Sequence, residues 1–191
     1  MKTLVCLVEE PSAKEMLNVI LKKMFPTGVK IEFQVFEGKQ DLDKNLERRV
    51  KAWKGSKSLF LIVRDKDSAD CIKLKKELHD RLVQTSKIDK CCIRIACHEL
   101  ESFYLGDLNA VATGLELKNI AKLQEKKKYR DPDLLANASE ELKKITHNQY
   151  QKVSGSRKIA PFLNLEGVNK SHSFNVLLSG IRTLIDNFQE D

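Results

Sequence analysis

The stretch Leu59 to Asp70, LFLIVRDKDSAD, constrains this chain more than any other: an apolar run of strand length stops abruptly in three carboxylates, Asp65, Asp67 and Asp70. Leu59, Phe60, Leu61, Ile62 and Val63 are apolar on both faces, which suits a strand buried within a sheet that helices cover on both sides. In open α/β sheets ligands bind beyond the carboxyl ends of strands, so Asp65 and Asp67 mark the expected place for chemistry. On extended backbone, acids at i and i+2 point the same way and repel one another. A hard divalent cation would hold them together. Mg²⁺ takes one or two carboxylates, keeps several waters and leaves positions free for phosphate oxygens. The alternative is a polar turn in which Ser68 or Asp70 caps the next helix.

The same pattern recurs on either side. Lys2 to Val8 reads as a short buried strand that ends in Glu9, Glu10 and Pro11. Ser12 and Glu15 have the spacing of a capping box, and Met16, Leu17, Ile20, Leu21 and Met24 follow at helical spacing. Val29 to Phe36 alternates as a half-exposed strand nearer a sheet edge would, and residues 41–53 resume helical spacing. A helix from about Ala69 to Val83 follows the central strand. Cys91 to Cys97 has strand character and runs straight into His98, Glu99 and Glu101. Three of four predicted strands therefore end in carboxylates. Strands alternating with helices imply a parallel sheet, which brings those three ends to one side.

The expected fold is α/β: a mainly parallel, Rossmann-like four-stranded sheet over residues 1–110, with a helical C-terminal extension over 111–191 packed on it. In the extension the spacing predicts short helices over 115–123, 132–136 and 139–145 and a final amphipathic helix over 173–188. Residues 154–158, SGSRK, read as a flexible basic loop.

At 191 residues the chain can bury a sizeable core, and a composition with 41% hydrophobic residues excludes a disordered chain. No window reaches the apolar length of a membrane span, and MKTLVCLVEE turns acidic before a signal-peptide core could form, so a cytoplasmic location is expected. The five cysteines contain no CxxC pair of the kind that holds zinc. The net charge of +7 permits a polyanionic partner. No Lys or Arg occurs between Ile95 and Leu117, whereas lysines crowd residues 118–130 and 143–158. An acidic focus beside basic stretches suits metal-dependent chemistry on phosphodiesters, and Lys66, Lys152, Arg157 and Lys158 are candidates for contacting a nucleic-acid backbone.

Together LVEEPSAKEML, LIVRDKDSAD and HELESFYLGD resemble the Toprim domain of topoisomerases, primases and OLD nucleases. They are more similar still to a compact bacterial Toprim-like family of unknown function that is often encoded beside an ATPase in phage-defence operons. The resemblance is firm over residues 3–107 and looser beyond. It implies that Glu9 is the catalytic acid-base glutamate, that Asp65 and Asp67 are the metal-binding DxD pair, and that Glu101, with Glu99, adds the later acid. It also implies Mg²⁺ or Mn²⁺ as cofactor, DNA or RNA as substrate and an ATPase as partner. Many Toprim proteins carry glycine directly after the first glutamate; here that position is Glu10.

Two other classes fit part of the pattern. A receiver-like phosphoacceptor would also place acids after the first strand and Asp65 after the third, but no lysine ends a fifth strand. A non-catalytic binding module would keep the fold without turnover.

Overall fold

The computed structural model describes residues 1–188. Four strands, β1 (Lys2–Val8), β2 (Val29–Val35), β3 (Ser58–Asp65) and β4 (Cys91–Ala96), form one sheet in the order β2-β1-β3-β4. Every pairing is parallel. The fold is α/β and Rossmann-like. The two inner strands are the apolar runs, and the alternating β2 lies at an edge, as its half-polar sequence requires.

Alternation along the strands splits the core in two. Leu4, Cys6, Val8, Leu59, Leu61 and Val63 face one layer, built by α1 (Pro11–Met24) and the C-terminal elements. Val5, Leu7, Phe60, Ile62, Ile93 and Ile95 face the other, where α2 (Lys39–Ala52) contributes Leu42, Leu46 and Val50, and α3 (Cys71–Val83) contributes Leu74, Leu78 and Leu82. Each such fully buried Leu or Val stabilises the fold by roughly 1.5–3 kcal/mol. Asp70 caps α3, its carboxylate accepting from Lys73 N at 2.8 Å.

Residues 101–188 are mostly helical: α4 (Glu101–Leu105), α5 (Leu108–Gly114), α6 (Ala138–Ile145), α7 (Lys152–Ile159) and α8 (His172–Asp186), with short 3-10 turns between them. Their apolar side chains, Phe103, Val111, Leu142, Ile159, Phe174 and Ile181 among them, join the α1 side of the core without a break.

The structure corrects four local expectations. Ser12 does not cap α1: Pro11 takes the first helical position and Glu10 precedes it, so the Ser12 hydroxyl turns back to the Glu10 carboxylate. Residues 115–123 are not one helix: α5 ends at Gly114, Glu116 and Asn119 adopt positive φ, and only a 3-10 turn begins at Ala121. Residues 154–158 are not a loop but the middle of α7. Gly155 reads as flexible in sequence, yet an added Cβ would lie 2.5 Å from the Tyr150 ring, so the missing side chain serves close packing. Finally, Asp65 and Asp67 do not share an extended backbone, since Asp67 lies past the strand with φ 51°.

Candidate functional site

From β1 the chain moves outward through α1 to β2, then crosses back through α2 to β3 on the other flank of β1. The crevice between the carboxyl ends of β1 and β3 is thus the switch point of the sheet, where α/β proteins bind ligands. Val8 is in register with Val63, which brings Glu9 out beside Arg64 and Asp65. Glu9 Oε2 accepts from Asp65 N at 3.4 Å and lies 3.5 Å from Arg64 Nη1. Burial raises the Glu9 pKa, and the Arg64 charge works against that rise.

Asp65 ends β3 half-buried, and its Oδ2 accepts from Leu100 N at 3.3 Å. Its pKa lies well above the usual carboxylate range, first because burial penalises the charge and then because Glu9, Glu10 and Glu101 all press on it. Acids that follow β1, β3 and β4 thus meet electrostatically at this one group.

Glu101, the first residue of α4, is fully buried. Its Oε1 accepts from Tyr150 Oη at 2.9 Å and from Ser139 Oγ at 3.4 Å, whereas Oε2 has no hydrogen-bond partner among the described residues. Burial raises the pKa of Glu101, while Lys152 and the Tyr150 hydroxyl oppose the shift. Lys152, at the start of α7, lies 3.2 Å from Glu10 Oε2, and its pKa is raised because Glu101, Glu10 and Asp65 outweigh the cost of burying it. The Tyr104 and Ser156 hydroxyls are also buried without a well-formed hydrogen bond among the described residues.

The remaining candidates stand further out. Asp67 is half-exposed, 2.9 Å from Lys39 Nζ and 3.8 Å from Arg64 Nη1. Its amide donates to His98 O at 2.8 Å and its carbonyl meets His98 Nδ1 at 2.9 Å, so two residues with positive φ tie the loops after β3 and β4 together. Glu99 Oε2 accepts from Ser139 N at 2.7 Å and satisfies the amino end of α6; the hydroxyl of the same Ser139 bonds Glu101. Lys66 extends the β3–β4 pairing through its amide, which donates to Ala96 O. Arg157 and Lys158 lie on α7, where Arg157 Nε bonds Glu15 Oε2 at 2.8 Å and Lys158 is exposed.

Arg64 is the residue that sequence reasoning missed. It is only 6% exposed, and its Nε and Nη2 lie 3.3 and 3.2 Å from the two oxygens of Asp43, while Nη1 also reaches the Asp65 carbonyl. Burial opposes its charge, but Asp43, Glu9 and Asp67 more than restore it. Arg64 thus gives Glu9 a basic neighbour from the adjacent strand. The only signal was an arginine directly continuing a buried apolar run. Nothing in the sequence pointed to Tyr150.

Among the described residues no three His, Cys, Asp or Glu side chains form a group that could hold a metal ion as they stand. A Mg²⁺ site does not need three, because the ion is commonly bound through one or two carboxylates with water and phosphate completing its shell. Asp65, crowded by three carboxylates, and Glu101, with a bare buried oxygen, are a donor set that fits such an ion. Two surface clefts of about 670 and 610 Å³, around Asp107 and beside Arg94, contain none of these acids.

A family model, Domain of unknown function (DUF4276), matches residues 8–182. The chain belongs to this family. The span that matches DUF4276 runs from the last residue of β1 into α8 and includes Glu9, Glu10, Asp65, Glu101 and Tyr150. No curated protein and no solved structure matches this DUF4276 chain. Among its described residues no helix is long and apolar enough to cross a membrane, and its five cysteines are free thiols.

Proposed function

We propose that this DUF4276 protein is a Toprim-like enzyme that uses Mg²⁺ or Mn²⁺ to cleave phosphodiester bonds in nucleic acid. The observation that carries the reading is the placement of Asp65 at the switch point of the sheet, where its carboxylate accepts from Leu100 N, its amide donates to Glu9, and the charges of Glu9, Glu10 and Glu101 press on it. Like-charge crowding of this kind is concentrated at functional sites, where a cation relieves it or a proton is traded. Asp65 and Glu101 would hold the ion, with Asp67, half-exposed beside Lys39 and Arg64, as the further ligand that the Toprim resemblance implies. When bound, the ion would stabilise charge developing on a phosphoryl oxygen and lower the pKa of a coordinated water.

The chain's own residues supply the rest. Glu9, held by Arg64 and the Asp65 amide, is the general base or an added ligand. Lys152 sets a positive charge against the acids, and Lys66, Arg157 and Lys158 offer contacts to phosphates that do not read sequence. Arg157, itself exposed, must leave the half-buried Glu15 to do so, at a modest cost for a surface ion pair. Glu99 serves by holding the amino end of α6, beside the Ser139 hydroxyl that bonds Glu101. We assign the protein to the cytoplasm, working with an ATPase partner in phage defence, on the strength of the Toprim resemblance and of a chemistry that needs free access to nucleic acid.

Supercoiled DNA and single-stranded RNA, each incubated with the protein and Mg²⁺ or Mn²⁺, test the reading. Cleavage should need the cation and fall by at least about a hundred-fold in Asp65→Asn, as when a group stabilising transition-state charge is lost. Intact substrates under every combination, with and without the ATPase, would refute it.

A further inference from the structure

We infer that Tyr150 is a positioning residue of this site, holding one oxygen of Glu101 so that the other is presented bare to the cation; the inference rests on the reading above. Glu101 is fully buried, and its two oxygens are treated differently. Oε1 is saturated by two donors, the Tyr150 hydroxyl at 2.9 Å and the Ser139 hydroxyl at 3.4 Å. Oε2 is buried with no donor among the described residues. A buried carboxylate left half-solvated in this way is costly unless something outside the chain completes it. A cation bound between Glu101 and Asp65 would do so.

The surroundings fix Tyr150 in that role. Its ring is fully buried and tilted against Tyr104 with centroids 5.9 Å apart, and its amide donates to Thr146 Oγ1 at 3.2 Å. A side chain at Gly155 would strike the ring, so α7 closes over it only because that position has none. Both donors to Glu101 come from the C-terminal extension, 38 and 49 residues further along the chain. The extension is therefore part of the site, supplying the support that orients an acid of the sheet domain.

The test uses the full chain and Mn²⁺ alone. Isothermal titration of wild type, Tyr150→Phe and Ser139→Ala gives the affinities, and anomalous scattering from Mn²⁺-soaked wild-type crystals identifies the coordinating oxygen. Tyr150→Phe removes one oxygen atom and should weaken Mn²⁺ binding on the order of ten- to a hundred-fold, the usual effect of losing a partner of a metal ligand, with the far-UV circular dichroism unchanged. Ser139→Ala, which removes the longer bond, should lose less and carries the test if Tyr150→Phe does not fold. The ion should contact Glu101 Oε2 while Oε1 stays on Tyr150. Equal affinity in the folded variants, or an ion bound through Oε1, overturns the inference and leaves the cation reading standing. Wild type that takes up no Mn²⁺ overturns both.

Discussion

Arg64 grips Asp43 through two nitrogens, Nε at 3.3 Å and Nη2 at 3.2 Å, and turns its third nitrogen toward Glu9. A guanidinium placed at the end of a buried strand thus ties α2 to the crevice and neutralises the acid that follows β1. Its planar fork grips both Asp43 oxygens while leaving a nitrogen for Glu9, a bidentate geometry that an ammonium lacks.

Removing that fork leaves Asp43 and Glu9 facing each other's charge inside a partly closed crevice. Arg64→Met should cost about 2–4 kcal/mol of unfolding free energy; a fully buried pair would lose slightly more, but Asp43 is about a third exposed. Arg64→Lys should recover less than half of the loss. Urea unfolding of the three proteins measures both values, and a wild-type midpoint in Arg64→Met would mean that the network carries no stability.

The Asp65 pKa is raised in the folded protein, so the group binds a proton more readily there than in the unfolded chain. Its favourable contribution is complete below the unfolded pKa and is lost as pH rises through the folded one. At neutral pH, without metal, Asp65 thus weighs against folding. Asp65→Asn should therefore melt higher than wild type at pH 7.5 and lose that advantage by about pH 4, near the ordinary Asp pKa. Thermal melts in EDTA at the two pH values check the sign; a lower melting temperature for Asp65→Asn at pH 7.5 would contradict it.

Gly155→Ala should be destabilising although alanine is the better helix former. The new Cβ would stand 2.5 Å from the Tyr150 ring, and forcing a packed core apart costs about 1–3 kcal/mol. Chemical denaturation gives the number. A stabilised variant would show that the ring has room to move.

Glu99 and Glu101 lie two residues apart and should behave oppositely. Glu99→Ala removes the acceptor for Ser139 N and should cost about 1 kcal/mol, as the loss of a helix cap does, with Mn²⁺ affinity unchanged. Glu101→Gln should weaken Mn²⁺ binding at least ten-fold, a loss on the scale of about 1.4 kcal/mol. Calorimetric titration of the two variants distinguishes them, and a loss of affinity in Glu99→Ala would return that residue to the site.

The strands and their acidic ends were legible in the sequence because both are local: a run such as Leu59 to Val63 shows its burial by composition, and the acids follow directly. The edge position of β2 was legible from its alternation. Contacts between distant segments were not. Arg64 is a charge at a buried position, which composition rules assign to solvent, and its partner Asp43 is 21 residues away on another element. Tyr150 reaches Glu101 across 49 residues of irregular helical chain. Gly155 misled because glycine signals flexibility and close packing with the same letter, and only the ring beside it tells which applies. Asp67 misled because its pairing with Asp65 assumed that the strand continued two residues further than it does.

The most direct test is a Mn²⁺ binding isotherm of metal-free wild type against Asp65→Asn. A site centred on Asp65 predicts saturable binding to wild type and at least a ten-fold weaker affinity in the variant. Identical isotherms, or no binding to either, would contradict it.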